Sequence, residues 1–173
     1  NSMIIEERVE RSQYVKLITW IVSFIILMAG IVFPVLILWV NQDMMSKVIG
    51  ASVLCLIFFT LIFTVAYQPR KLILSETHII MERILGQVYI SYSDITDISL
   101  YHRENVAEIR IFGIGGLGGY IGKFYNSKIG FYTAYVGDYS QAFLIKINNR
   151  EKYVMSCRHA EKIVEEVKSR LKQ

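Results

Sequence analysis

Apolar residues are unevenly spread along the chain. Leu17–Val40 runs 24 residues without a charge, and 20 of them are apolar. Val48–Tyr67 runs 20 residues without a charge, 16 of them apolar. Neither stretch has a polar face at helical period, so neither reads as an amphipathic surface helix. A helix needs about 20 residues to cross the ~30 Å hydrocarbon layer of a bilayer. The two stretches therefore predict a transmembrane helical hairpin over 17–67. Leu17–Val40 is too long for the apolar core of a signal peptide and lacks a small-residue cleavage pattern.

After Tyr67 the pattern changes to short alternating runs. Lys71–Ser75, His78–Ile84 and Gln87–Tyr92 predict strands, with turns at Glu76–Thr77 and Leu85–Gly86. Ile95–Tyr101 and Glu108–Ile114 are further strands. Ala142–Asn148 and Glu151–Ser156 flank Asn149–Arg150 as a hairpin, and Asn148 and Asn149 tolerate the positive φ of such turns. The period then becomes helical. Ala160, Ile163, Val164, Val167 and Leu171 form one stripe, with Ser156 as the expected N-cap and Lys168, Arg170 and Lys172 near the C-terminus, where the helix dipole favours cations. Before the first span, Ile4–Lys16 reads as a helical extension rather than a separate interfacial helix. Asn1 and Ser2 ahead of Met3 read as a tag remnant, with Met3 the native start.

Charge sets an orientation. Arg8, Arg11 and Lys16 precede the first span, and Arg70 and Lys71 follow the second. The connector Asn41–Lys47 carries one Lys. The positive-inside rule places both termini in the cytoplasm and Asn41–Lys47 outside. Trp20, Trp39 and Tyr67, with Arg70 and Lys71, are the expected membrane-interface anchors. No charged residue or His lies within either span, which argues against a proton relay or an ion path. Pro34 removes one helical hydrogen bond and predicts a kink. The segment 70–173 holds 15 Lys and Arg against 11 Asp and Glu. That balance suits an anionic leaflet and is too weak and too scattered for nucleic acid.

The segment from Gly113 to Tyr139 gathers eight of the eleven glycines and seven aromatics. Its Gly113-Ile114-Gly115-Gly116-Leu117-Gly118 matches a dinucleotide fingerprint by letter only, because no helix start follows. Three readings stand. The segment is a twisted β-excursion with Gly at bends. It is a protein-binding or self-assembly surface built on Tyr120, Phe124, Tyr125, Phe131 and Tyr132. Or it touches lipid head groups through Lys123 and Lys128.

Candidate chemistry is sparse. His78, His102 and His159 lack metal-ligand spacing, so no metal or cofactor is expected. Cys157 opens the last helix, where a thiol can be activated, but the commoner role is a packed small hydrophobe. Cys55 lies in a span, out of reach of a disulfide with it. No catalytic motif is present, and the chain is read as a non-enzyme.

Tyr92, Asp94, Ile95 and Ile98 match a Tyr-x-Asp-Ile-x-x-Ile step, and Lys152, Tyr153, Val154 and Ser156 match a Lys-Tyr-Val-x-Ser strand leading to a helix. With the strand order, these resemble bacterial PH-like (pleckstrin-homology-like) domains over Arg70–Gln173, which often follow paired membrane helices. The resemblance implies an α+β chain: a transmembrane two-helix hairpin, then an antiparallel β PH-like domain of two packed sheets or a partly open barrel, closed by a C-terminal helix. It carries no catalytic residues. The expected organisation is 1–16 as a cytoplasmic segment, 17–67 as the hairpin and 70–173 as the cytoplasmic domain. The expected role is a membrane-anchored interaction module. It scaffolds or regulates a protein partner or self-assembles; the alternatives are an anionic-lipid-binding module or an accessory subunit of a transport or envelope complex.

Overall fold

The computed structural model describes residues 4–40, 43–103, 108–148 and 150–172. The readings at Met3, Asn41 and Asn149 lie outside them. The apolar runs form α1 (Gln13–Val40) and α2 (Met44–Ala66). Both are long and apolar enough to span a membrane. Ser12 starts α1 by accepting from the Val15 amide at 3.2 Å, and Asp43 caps α2 by accepting from Ser46 at 3.2 Å. The helices are antiparallel: Leu54 packs at Gly30, and Ile37 at Gly50. Hydroxyls inside α2 are satisfied locally, Ser52 by Val48 O, Thr60 by Leu56 O and Thr64 by Thr60 O.

The strands, numbered in chain order, form two sheets. The first has the order β1 (Ile5–Arg8), β2 (Pro69–Leu74), β3 (His78–Arg83) and β4 (Gln87–Ser91), all antiparallel. The second comprises β5 (Ile95–Tyr101), β6 (Glu108–Gly115), β7 (Tyr120–Asn126), β8 (Gly130–Val136), β9 (Ala142–Ile147) and β10 (Lys152–Ser156). Its order is β5-β9-β10-β8-β7-β6, and the β10–β8 pair is parallel, so the sheet is mixed. The helix α3 (Ala160–Leu171) closes the domain. Its expected stripe is buried at Ala160, Ile163, Val164 and Val167, against Leu72, Ile79, Ile98, Phe143 and Met155 of both sheets.

The second sheet curls. Three strands lie between β5 and β7, so a flat sheet would put them about 19 Å apart at ~4.8 Å per strand. Yet Asn126 on β7 donates to the Tyr101 hydroxyl on β5 at 3.0 Å. The concave face thus encloses a second core of Tyr101, Phe124, Tyr132, Val136, Tyr139 and Leu144. The curl stops short of a closed barrel, since β5 and β6 stay unpaired edges among the described residues.

Three expectations are corrected. Ile5–Arg8 is not a helical extension but a strand on the edge of β2, and Val9 continues it by donating to Arg70 O at 3.0 Å. Its period is two: Ile5 and Val9 pack on the main core while Glu6 and Arg8 face solvent. Ser156 does not cap α3. It ends β10, and its hydroxyl accepts from the amides of Gly137 and Asp138 at 2.9 and 3.4 Å. Among the described residues of the Asn-turn hairpin, positive φ falls on Arg150, at 61°, and not on Asn148.

Candidate functional site

The glycine-aromatic segment is a meander, β6-β7-β8, and its glycines make the tight approaches. Gly113 and Gly122 face each other across β6 and β7, at φ of 125° and 124°. A Cβ on Gly113 would lie 2.0 Å from Ile121 O, so only glycine fits there. The dinucleotide match fails as expected, because Gly118 lies in a turn that leads into strand β7.

The β6–β7 turn docks on α1 and on the link that follows α2. Gly118 N–H donates to Thr19 Oγ1 of α1 at 2.8 Å, and Gly118 O accepts from Gln68 Nε2 at 2.8 Å. Gln68 is buried, and its Oε1 accepts from Arg11 at 2.7 Å. A second joint lies at the β3–β4 turn, where Leu85 N–H caps α2 by donating to Ala66 O at 2.8 Å. Nearby, the Arg83 guanidinium lies 5.0 Å from the Tyr67 ring centre and 5.5 Å from that of Tyr135, with its Nε buried and unpartnered. The expectations from sequence missed both joints. The available signal was polar Thr19 and Gln68 at the domain-side ends of apolar runs.

Strand alternation divides the predicted binding residues between two faces. Phe124 and Tyr132 point into the curl, with rings 5.8 Å apart, and are 3% and 2% exposed. They are core residues, so their assignment as surface anchors is corrected. Tyr120 is half-buried beside Tyr139, with ring centres 4.8 Å apart. On the outer face, Tyr125 meets Phe131 edge-on at 5.0 Å, and Phe131 is 66% exposed. Lys123, also exposed, donates to Thr133 at 2.8 Å. Phe131, Lys123 and Thr133 line a shallow groove with Arg150, Glu151 and Lys152. Exposed Lys128 sits in the adjoining turn, its amide donating to Asn126 Oδ1 at 2.8 Å.

Among the interface anchors, Trp20 and Trp39 are exposed on α1 and Tyr67 is half-buried under Arg83. Arg70 is exposed, and Lys71 pairs with Glu6 at 2.6 Å.

The mouth of the curl holds a polar knot. Glu108 accepts from the Tyr132 hydroxyl at 2.6 Å and from Arg103 at 2.9 Å. Tyr132 and Tyr139 hydroxyls meet at 3.1 Å, and the Arg103 guanidinium lies 4.6 Å from the Tyr139 ring centre. Burial pushes both phenols above the ordinary tyrosine range, with their neighbours adding to the shift at Tyr132. This knot is structural: its donors are matched to acceptors. Cys157 precedes α3 rather than opening it, and burial pushes its thiol up to about 12. That is the opposite of an activated nucleophile. Its neighbour His159 faces Glu7 of β1 at 3.0 Å. Among the described residues no three His, Cys, Asp or Glu gather as a metal site.

The family model for the bacterial PH domain matches residues 70–171. The chain belongs to the bacterial PH domain family. The PH-like domains are generally non-catalytic interaction modules, and no catalytic family matches. No curated protein and no solved structure matches the chain. In this bacterial PH domain, β1 adds a strand from residues ahead of the matched region, so the sheet is completed across the two helices.

Proposed function

We propose that the chain is a membrane-anchored, non-catalytic interaction module of a bacterial inner membrane. Both ends and the PH domain lie on the cytoplasmic side, as Arg8, Arg11, Lys16, Arg70 and Lys71 favour. The module scaffolds or regulates a protein partner, or assembles with itself. The carrying observation is the edge-on pair of exposed Phe131 and half-buried Tyr125, beside Lys123 and the groove with Arg150 and Lys152. Aromatic anchors flanked by cations are the residue types that dominate protein interfaces. The pair lies at the far end of β7 from the helix-docked turn, about 20 Å along the strand. That separation favours a protein over the membrane's own head groups. Tyr120, half-buried at the near end, and Lys128, in the far turn, flank this surface. Anchoring in a membrane raises the effective concentration of any partner held at the same surface.

The test compares gentle detergent extracts of the wild type and of Phe131→Ser at native expression. A stoichiometric partner or homo-oligomer in the wild type, lost in the variant, supports the reading. A clean wild-type monomer overturns it. The cations around the groove favour an anionic-lipid-binding module as the second reading. In that case the full chain retains anionic over zwitterionic lipid, and Lys123→Glu abolishes the preference. An accessory role in a transport or envelope complex is read from the identity of the copurifying protein.

A further inference from the structure

Among the described residues, nothing covers four apolar side chains on the helix side of the domain. Ile111 and Phe112 lie on β6, and Ile84 and Leu85 on the β3–β4 turn; Phe112 is 70% exposed and Leu85 is 59% exposed. Both places are continuous with the spanning helices. Leu85 N–H bonds Ala66 O, and Phe112, Gly113 and Ile114 share a groove with Phe59, Thr60 and Phe63 of α2. Phe59 lies seven residues before the end of α2, about 10 Å along its axis. The contacts of Gly30 with Leu54 and of Gly50 with Ile37 put Trp20 level with about residues 64–67. Tryptophan concentrates at the membrane–water boundary. Phe112 therefore sits at or below the depth that Trp20 marks, on the membrane side.

We propose that the PH domain does not hang beneath the bilayer but is seated in it, with the β6 edge and the β3–β4 turn inserted at the head-group and acyl boundary. The inference rests on the membrane-spanning reading of α1 and α2. The occupant of these apolar surfaces is lipid, because they continue the lipid-facing surface of α2 at Phe59. The outer edge of β6 fixes the depth. It is the last strand of its sheet, so its free N–H and C=O groups need water and cannot enter the hydrocarbon centre. A second copy is the weaker occupant. β6 carries a register shift between Arg110 and Phe112, which twists an edge away from pairing. Exposed Arg110 and Arg70 lie at the same end, where phosphates would meet them.

Spin labels on the full chain in phospholipid vesicles test this, in a Cys55→Ser background with buried Cys157 left in place. Single labels go to Phe112→Cys and Leu85→Cys, with Val53→Cys in the span and Lys168→Cys on α3 as references. All four sites are exposed, so folding is undisturbed. The expected result is that labels at 112 and 85 are several-fold more accessible to oxygen than to a nickel chelate, relative to 168. If 53 is lipid-shielded while 112 and 85 match 168, the seating is overturned and the spans stand. If 53 is also water-exposed, the spanning reading falls and the seating with it. Spin–spin broadening at 112 that vanishes on dilution with unlabelled protein puts a second copy on the edge and overturns the lipid assignment.

Discussion

The amide of Gly118 donates to the hydroxyl of Thr19 at 2.8 Å, across 99 residues of sequence. The same hydroxyl donates to Val15 O at 2.6 Å, so it is both held and holding. With Gln68 on the Gly118 carbonyl, one residue of the β6–β7 turn is gripped by α1 and by the link that follows α2. The helices and the domain are therefore joined by specific bonds as well as by the chain.

Thr19→Val keeps the volume and removes the acceptor. The Gly118 N–H is left without its partner, and the loss is about 1–2 kcal/mol. Hydrogen exchange on the turn 116–119 should rise, while exchange in α3 stays unchanged. Equal exchange in the turn would show that the bond contributes nothing.

Gly113→Ala drives a methyl into Ile121 O, a backbone atom that cannot swing aside. The cost is about 2–4 kcal/mol, because both strain and a parted β6–β7 pair are involved. Chemical denaturation in detergent measures it. Gly86→Ala is the comparison: its Cβ would meet only the end of the Arg83 side chain, although its φ of 80° still adds strain. The order of the two losses is the prediction.

A fragment that begins at Arg70 lacks β1. It leaves β2 as an open edge and uncovers the surface under Ile5 and Val9. Its stability should be about 2–4 kcal/mol below that of a version with residues 4–11 joined through a linker. Size-exclusion chromatography should show the shorter fragment self-associating through the bare strand.

Alkaline pH should destabilise the domain cooperatively. Burial raises the pKa of the Cys157 thiol from its ordinary value of 9.0 to about 12, and raises those of Tyr132 and Tyr139 as well. A raised acid pKa means that the fold favours the neutral form. For Cys157 that stability is complete below pH 9 and is lost as pH climbs towards about 12. At pH 8 the native thiol should resist alkylation and react only after unfolding. Rapid labelling of Cys157 in the folded protein would contradict its burial.

Much of the plan was legible along the chain. The two long apolar helices were legible because each carries an uncharged run of twenty residues or more. The strands from Lys71 to Tyr101 and the α3 stripe were legible because period two and period 3.6 are distinct. The β1 strand was not, because four residues with charges at Glu6, Glu7 and Arg8 carry too little apolar signal; it exists because β2 offers an edge. Ser156 looked like a cap by its place before a helix, yet the Gly137 amide draws its hydroxyl away. Of the candidate surface, Phe131 is exposed and Tyr125 half-buried, while Phe124 and Tyr132 are buried. Composition marked the segment, but only register assigns faces within it.

The sequence by itself determined the two long apolar helices of this protein, the order of most of its elements and its membership of a β-rich domain class. Those follow from local hydrophobicity and period, which each segment carries alone. Tertiary structure decided which side of the Gly113–Tyr139 meander faces inward, that residues before the first helix complete a sheet after the second, and that Gly118 ties the domain to α1 and to Gln68 beyond α2. Each of these depends on groups distant in sequence meeting within hydrogen-bond range, 25 residues apart for Asn126 and Tyr101 and 99 for Gly118 and Thr19. Such meetings leave no periodic trace in the chain.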